Sequence, residues 1–390
     1  MLCQPICRSL GQFVAMLTTA VLGLSFLSAY AQRPDRVLFP VPTPGAQSGK
    51  PVPLPWRVLD PISFENLQVF PVVARTGYDT SAFVTLDEAL ATGDVVVAES
   101  GGARGGGAQV NQLVLVHRGK RPLLLLAGEV VTGGKQDRVI GKDRIVAPGA
   151  EPLPLDVFCV ERGRWSGAKA EFSESKFMAH PSVREKAVVD KAQDQVWAAV
   201  RSGTTAASTI TVEGAPAGSA APTPAAPARI SREALNMAAQ EAGTEAYAKI
   251  YAARGVAGSV ESFSEEIARR FRNATSGLRE EQLVGVVVAY NGEAAWSDLF
   301  ASNMLFERYW PKLLRSYVVE AMARPLYRRQ AAVAEARDFL APMSGREVIE
   351  SEPGVYRWRE IAAGRYAQIE LDSLLGRTFT LHRVKIQRTS

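Results

Sequence analysis

Short strand-like segments separated by turn residues fill the region from Ile62 to Val160. Apolar runs such as DVVVAES, QLVLVHR and LPLDVFCVE are interrupted by glycine, proline or aspartate at intervals of roughly ten residues. The glycine-rich stretch GGARGGG between the first two runs indicates a flexible hairpin connection rather than a chemical site. Because antiparallel strands can be joined by short connections, the region is predicted to form an antiparallel sandwich or curled sheet.

A tight hairpin and a long helix are predicted in the second half of the chain. The strand-like runs LVGVVVAY (283–290) and EAAWSDLF (293–300) are separated by Asn291-Gly292, a residue pair that favours a two-residue hairpin turn. Apolar residues then recur at helical spacing from Asn303 to about Tyr327. Pro311 lies within this helix and is expected to kink it or to begin a new helical segment.

The coarse pattern is that of an α+β protein. It predicts an antiparallel β-rich sandwich or curled sheet with packed helices and a C-terminal β-hairpin plus long helix. Changes in composition separate the parts that fold from the extended parts. The predicted parts are a signal peptide (1–31), a Pro-rich extended arm (32–55), a β-rich first part (56–202), a disordered Ala/Pro/Gly/Ser insertion (203–229), a helical part with the 283–300 hairpin (230–343) and C-terminal strands (344–390).

Residues 1–31 have the three parts of a secretory signal peptide. Arg8 gives a positive start, residues 13–27 form a short apolar stretch, and Ala29-Tyr30-Ala31 has the small-x-small pattern of a cleavage site. We therefore expect export to the periplasm or the extracellular space. The alternative is that this segment is kept as an N-terminal anchor. No later apolar run is long enough for a helix that crosses a bilayer.

Cysteine, histidine and charge contents argue against several kinds of site. If residues 1–31 are removed, Cys159 is the single cysteine that remains, so no internal disulfide can form. The three histidines are scattered and no calcium-binding loop is recognisable, so neither a metal nor a cofactor is predicted. The net charge of +5 at pH 7 is spread along the chain, so no nucleic-acid partner is expected.

The first candidate site is a group of polar residues that follows the apolar run LLLLA. A carboxylate, Glu129, precedes Lys135, Gln136 and Arg138 within ten residues. Lys135 and Arg138 can bind a phosphate or carboxylate, with Gln136 orienting it, and Glu129 can act as a general base. In a regular strand Lys135 would share a face with Asp137. The alternative is a structural ion-pair network along a sheet edge.

The second candidate site is the string FCVERGRW, at the end of a predicted strand. Its residues Glu161 and Arg164 can line a ligand site or form an ion pair at a structural corner. Cys159 can be a nucleophile or a buried thiol that packs as a small apolar side chain. Because no histidine lies near Cys159 in the sequence, the buried thiol is the preferred interpretation.

Four strings of the sequence carry a resemblance to a known family when they are taken together. They are TLDEALATGDVVVAES (85–100), LLLLAGEVVTGGKQDRVI (123–140), FCVERGRW (158–165) and GVVVAYNGEAAWSDLFASNMLFERYWPKLL (285–314). Over about residues 60–330 the chain resembles the ARG and Rhodanese-Phosphatase-superfamily-associated protein domain, a family of unknown function. The resemblance implies genomic association with ADP-ribosylglycohydrolase and phosphatase-like proteins, which assigns no activity.

Two functional hypotheses follow. The sequence lacks a catalytic triad, a metal motif and a phosphate-binding loop, which favours a non-catalytic binding or scaffold module of the cell envelope. Its partner would be an anionic small molecule or an envelope protein. The alternative is a hydrolase-like enzyme that acts on a phosphorylated or ADP-ribose-type ligand with Glu129 as base. The enzyme hypothesis requires Glu129, Lys135, Arg138 and Glu161 to meet in one pocket.

Overall fold

A computed structural model describes residues 56–99, 112–134, 136–160, 171–201, 251–324 and 329–388. All of them belong to one compact unit, Gly49–Ser390. They form a nine-stranded sheet, a closed barrel and a three-stranded sheet, with helices packed between them, which confirms the predicted α+β class. The predicted signal peptide, the Pro-rich arm and the insertion at 203–229 lie outside the described residues.

The nine-stranded sheet is antiparallel throughout and draws its strands from both ends of the described chain. Its strands are β1 (Arg57–Val58), β2 (Ile62–Phe64), β3 (Leu67–Ala74), β13 (Gln282–Tyr290), β14 (Glu293–Phe300), β15 (Arg346–Glu352), β16 (Tyr356–Ala363), β17 (Tyr366–Ser373) and β18 (Phe379–Gln387). Neighbours follow the order β1-β3-β13-β14-β18-β17-β16-β15, and β2 pairs with β3. Every residue of β3 is buried, as expected for a strand covered on both faces.

β13 and β14 form the predicted hairpin. Asn291 and Gly292 have φ angles of 55° and 75°, the left-handed values that a two-residue type I′ turn requires. Further along the same pair of strands, Gly285 lies opposite Leu299. A Cβ atom at Gly285 would lie 2.9 Å from the Cα atom of Leu299. The two backbones therefore approach so closely at this point that a larger residue does not fit.

A closed barrel is formed by six strands from the first half of the chain. They are β5 (Val95–Glu99), β6 (Gln112–His117), β8 (Glu129–Gly133), β9 (Arg138–Ile140), β11 (Leu153–Cys159) and β12 (Glu171–Met178). The short sheet consists of β4 (Val84–Thr85), β7 (Leu123–Leu125) and β10 (Arg144–Val146). Val97, Leu115 and Leu155 belong to the apolar core of the barrel. The predicted curled sheet is thus closed on itself, which leaves no unpaired edge.

Helices cover the sheets. The described helices include α1 (Leu86–Ala91), α2 (Pro181–Glu185), α3 (Gln193–Arg201), α4 (Arg254–Thr275), α5 (Asn303–Ala323) and α6 (Val333–Phe339), and a π-helical turn, Lys186–Asp190, follows α2. As predicted, α5 begins at Asn303, where the side chain of Ser302 accepts a hydrogen bond from Leu305 N–H. It continues through Pro311 as one element, so Pro311 does not begin a new segment. Burial of one face of α5 in the core offsets the hydrogen bond that proline cannot make.

In the middle of the nine-stranded sheet, at β3, β13 and most of β14, both faces are buried. On one face Val286 and Val288 belong to the largest core, which also contains residues of α4 and α5. On the other face Val287 packs with Ala336 and Phe339 of α6. Polar side chains that point inward from β14 and β18 are therefore enclosed between apolar layers. Among the described residues, no helix has both the length and the apolar character that a membrane span requires.

Candidate functional site

Two described residues, one from each of the two candidate sites predicted from the sequence, are neighbours at one end of the barrel. β9 begins at Arg138 and β11 ends at Cys159, and these residues are direct partners in the antiparallel pair. β8, the other strand of the β8–β9 hairpin, ends at Gly133. Glu99 is close as well, because a Cβ atom at Gly134 would lie 3.0 Å from its carboxylate. We refer to these polar residues as the barrel-end cluster, which consists of Glu99, Gln136, Asp137, Arg138 and Cys159.

The connection between β8 and β9 is a tight turn. Gly133 and Gly134 have φ angles of 129° and 55°, and a Cβ atom at Gly133 would lie 2.7 Å from a backbone oxygen of β12. Asp137 closes the turn, since its Oδ1 accepts a hydrogen bond from Gly133 N–H at 3.2 Å. The alternation of a regular strand does not apply between these two elements, because β8 ends at Gly133 and β9 begins only at Arg138.

The described residues of the barrel-end cluster are held by the backbone around them. Arg138 is 2% exposed, and its Nη1 donates to the carbonyl oxygens of Gln136 at 2.8 Å and Asp137 at 3.3 Å. Cys159 N–H donates to Gln193 Oε1 at 2.9 Å, and Gln193 Nε2 donates to Cys159 O at 2.8 Å, which ties α3 to the barrel. Burial raises the pKa of the Cys159 thiol, as expected for a packed rather than a reactive cysteine.

Three of the predicted ligand-binding residues cannot be placed. Lys135, Glu161 and Arg164 lie outside the described residues, although their sequence neighbours Gln136 and Val160 are described and buried. The described residues bring Arg138 next to Cys159, two positions before Glu161, and the meeting of the four residues in one pocket stays a prediction.

Glu129 is fully buried at the start of β8 and lies in an ion-pair group of its own. Its Oε1 accepts from Lys312 Nζ of α5 at 2.9 Å, and its Oε2 accepts from Leu126 N–H at 2.9 Å. Lys312 also pairs with Asp87 of α1 at 2.8 Å. Burial raises the pKa of Glu129, whereas Glu129 and Asp87 hold the pKa of Lys312 above its ordinary value against the opposing effect of burial. Glu129 thus joins the barrel to α1 and α5.

A second group of buried charges is centred on Asp298 of β14. Asp298 is 0% exposed, and both of its oxygens accept from Arg184 of α2, at 2.9 and 3.0 Å. Trp296 Nε1 donates to Asp298 Oδ2 at 2.7 Å, and the Tyr317 hydroxyl donates to the same oxygen. The guanidinium of Arg184 also lies 4.7 Å from the centre of the Trp296 ring. Asp298 therefore connects β14 to α2 and α5.

His382 of β18 lies between two carboxylates. Its Nδ1 is 2.6 Å from Asp143 Oδ2 and its Nε2 is 3.1 Å from Asp298 Oδ1. Because both ring nitrogens face acceptors, both carry hydrogen and the imidazole is positively charged. Although burial lowers it, the two carboxylates raise the pKa of His382 to about 9. His382 and Arg184 together balance the charges of Asp143 and Asp298.

The ion pair between Arg184 and Asp298 explains why residue 128, directly before Glu129, is a glycine. Gly128 has a φ of 96°, and a Cβ atom there would lie 2.5 Å from the side chain of Arg184. Arg184 Nε donates to Ala127 O at 3.3 Å, and Asp143 Oδ1 accepts from Ala127 N–H at 2.7 Å. The glycine before Glu129 therefore provides the space through which Arg184 reaches Asp298.

A third group of buried charges lies at the end of α5. Glu320 Oε1 accepts from Arg324 Nε at 2.7 Å and from Ser182 Oγ at 2.6 Å, and its Oε2 accepts from Ser182 N–H at 3.0 Å. Although burial opposes it, Arg324 and His180 lower the pKa of Glu320 to about 2. Burial lowers the pKa of His180, whose Nε2 is 3.8 Å from Glu320 Oε2.

The sequence interpretation missed the residues that form these groups. One signal was available: in β14 a period of two places Asp298 on the same face as Trp296 and Phe300, which is an unusual position for a charge. Similarly, Lys312 lies among the mostly apolar buried residues of α5. No group of three or more histidine, cysteine or acidic side chains in the described part of the chain is arranged to hold a metal ion.

Comparison with known proteins gives one match that covers most of the chain. The family model described as ARG and Rhodanese-Phosphatase-superfamily-associated Protein domain matches residues 56–384. No curated protein and no solved structure matches the sequence or the fold. The matched range includes the barrel, the nine-stranded sheet as far as β18, and all three groups of buried charges.

Proposed function

The chain belongs to the ARG and Rhodanese-Phosphatase-superfamily-associated Protein domain family, and we propose that it is an exported, non-catalytic binding or scaffold module of the cell envelope. Membership assigns no activity by itself, because one fold can carry unrelated functions. The proposal therefore rests on the contacts that the charged side chains make.

The observation that carries the proposal is that the buried carboxylates are occupied by internal partners. Glu129, Asp298 and Glu320 are at most 2% exposed, and each accepts from at least one cationic side chain and from at least one further donor. A catalytic base has to reach a substrate proton within hydrogen-bond distance. Carboxylates enclosed in this way stabilise the packing of strands against helices, which favours binding over turnover.

The barrel end is where we expect an anionic ligand to bind. The two strings that carry the candidate residues are brought together there by the pairing of Arg138 with Cys159. In the sequence, Lys135 directly precedes Gln136, and Glu161 and Arg164 follow Cys159 within five residues. Lysine and arginine side chains gathered at one place favour phosphate or carboxylate groups.

One observation favours the alternative of a hydrolase-like enzyme that acts on a phosphorylated or ADP-ribose-type ligand. Burial raises the pKa of Glu129, and perturbed carboxyl groups are frequent among catalytic acids and bases. Against the alternative, both oxygens of Glu129 accept hydrogen bonds from within the protein, from Lys312 and from Leu126 N–H. A substrate would have to displace one of these donors.

Export is supported by the sequence of residues 1–31, with its apolar stretch and the Ala29-Tyr30-Ala31 pattern. The test is expression of the full chain in a Gram-negative host, cell fractionation, and determination of the N-terminus of the product. The proposal predicts a periplasmic or secreted product that begins at Gln32. A product that stays in the cytoplasm with Met1 in place contradicts export.

The binding proposal is tested by thermal unfolding of the exported protein with phosphate, nucleotides, ADP-ribose and sugar phosphates. A ligand present at about 100 times its dissociation constant stabilises the folded state by about 2.7 kcal/mol. We expect one of these anions to raise the midpoint, Lys135→Ala to abolish the effect, and Lys120→Ala, an exposed lysine of the turn after β6, to retain it. Chromatography of the same mixtures should show the ligand unchanged, and accumulation of a product would contradict the proposal.

A further inference from the structure

A cavity of about 490 Å³ lies between α6 and the strands β14, β17 and β18. It is distinct from the barrel end, and none of the groups of buried charges described above takes part in it. Aromatic side chains and charges of both signs line it. The residues that matter here are Phe339, Tyr366, Lys385, Asp338, Glu335 and Glu293.

Lys385 is the unusual member of this lining. It is 6% exposed, and its Nζ donates to Ala341 O at 3.0 Å and lies 5.5 Å and 5.8 Å from the ring centres of Phe339 and Tyr366. None of the ion pairs among the described residues includes Lys385. Lysine is almost never buried without a carboxylate partner, because the uncompensated charge is costly. Burial and the neighbouring Arg383 lower the pKa of Lys385, as expected for such a site.

The contacts of Lys385 leave room for an acceptor from outside the protein. An ammonium group has three N–H donors, and a single carbonyl oxygen accepts from that of Lys385. The aromatic rings supply an apolar surface beside the ammonium group but no further acceptor with a full charge. A carboxylate placed in the cavity would satisfy the remaining donors and compensate the buried charge.

The other charges of the lining select among anions. Glu293 is paired with Arg365 at 2.9 Å. The remaining charges beside Lys385 are the exposed Glu335 and Asp338 of α6 and the single cation Arg329, so the rim carries an excess of one negative charge. Carboxylates at the rim repel a dianion such as a phosphate monoester about twice as strongly as a monoanion. The cavity is therefore suited to a singly charged acid with an apolar body rather than to a phosphate.

We propose that this cavity binds a small organic monocarboxylate, whose carboxylate accepts hydrogen bonds from Lys385 and whose apolar body packs against Phe339 and Tyr366. This site is additional to the proposed barrel-end site and does not depend on it. Aromatic and branched-chain acids are the class of ligand that fits the volume and the aromatic lining.

The test is isothermal titration of the full exported chain with phenylacetate, phenyl phosphate and phenylethylamine. Phenylacetate should bind, phenyl phosphate should bind at least tenfold more weakly, and phenylethylamine should not bind. Lys385→Met keeps the packed stem and removes the charge, so it should weaken phenylacetate at least tenfold, which corresponds to about 1.4 kcal/mol. Lys142→Met is the matched control, because Lys142 also lies over an aromatic ring, that of Trp358, but does not line the cavity.

A second measurement needs no variant. Trace acetylation of the wild-type chain, followed by peptide mass spectrometry, reports the reactivity of each lysine with and without phenylacetate. Selective protection of Lys385, with Lys142 unchanged, supports the site. The proposal is overturned if Lys385→Met binds phenylacetate as tightly as the wild type, if Lys142→Met weakens it equally, or if phenylacetate leaves the acetylation of Lys385 unchanged.

Discussion

Replacement of Asp298 by asparagine tests whether the buried charges hold the fold together. Five hydrogen bonds reach the two oxygens of Asp298, from Arg184, His382, Trp296 and Tyr317. An asparagine has one oxygen, so at least two donors would face its NH₂ group whichever way the amide is turned. The change also leaves Arg184 and His382 with one buried negative charge fewer. Removal of one partner of a buried ion pair costs about 3–5 kcal/mol.

Urea unfolding followed by tryptophan fluorescence measures this cost. With a total stability of about 5–15 kcal/mol, a loss of about 3–5 kcal/mol should shift the midpoint clearly at an unchanged slope. Glu293→Gln is the matched control, because Glu293 lies in the same strand but is 56% exposed and paired with an arginine that is 58% exposed. It should cost less than about 1 kcal/mol. The reasoning is refuted if Asp298→Asn is no more destabilising than Glu293→Gln.

Three further predictions concern single residues. The folded-state pKa of His382 is raised from 6.5 to about 9. The stabilising positive charge of His382 is therefore fully present below pH 6.5 and is lost as the pH rises through 9. The NMR signals of its ring protons should titrate near pH 9, and titration near pH 6.5 would contradict a charged His382 between the two carboxylates. Because burial raises the pKa of the Cys159 thiol, native Cys159 should resist iodoacetamide at mildly alkaline pH. In concentrated urea the same thiol should react, and peptide mass spectrometry measures both results. Gly285→Ala should lower the free energy of unfolding by about 1–3 kcal/mol, because its Cβ atom would overlap the neighbouring strand. Gly277→Ala is the control: its Cβ atom would have no neighbour within 4 Å, so its urea midpoint should stay close to that of the wild type.

The fold could be predicted from the sequence where the pattern is local. The Asn291-Gly292 turn, the strands around it and the start of α5 at Asn303 follow from turn chemistry and periodicity, and the structure has them as expected. Closure of the barrel and the pairing of β3 with β13 could not be derived in this way. Both depend on contacts between residues far apart in the chain, about which a periodic pattern carries no information.

For the candidate site, the sequence identified a relevant region but not the roles of its residues. It placed Glu129 beside Arg138, yet the structure pairs Glu129 with Lys312, a residue of α5 that is 183 positions away. Gly128 has a positive φ, and its absent side chain also makes room for that of Arg184. Ion pairs of this kind join elements that meet only after folding, so spacing along the sequence cannot reveal them.

The Glu129→Gln replacement tests most directly whether the buried charges serve the fold rather than catalysis. Its free energy of unfolding and its turnover of ligands are measured on the same preparation. The account predicts that the free energy of unfolding falls by about 1–3 kcal/mol, because Lys312 keeps Asp87 at 2.8 Å as its remaining partner. It also predicts that ADP-ribose and sugar phosphates stay intact with both the wild type and the variant. Hydrolysis by the wild type that is lost in Glu129→Gln at unchanged stability would contradict the account.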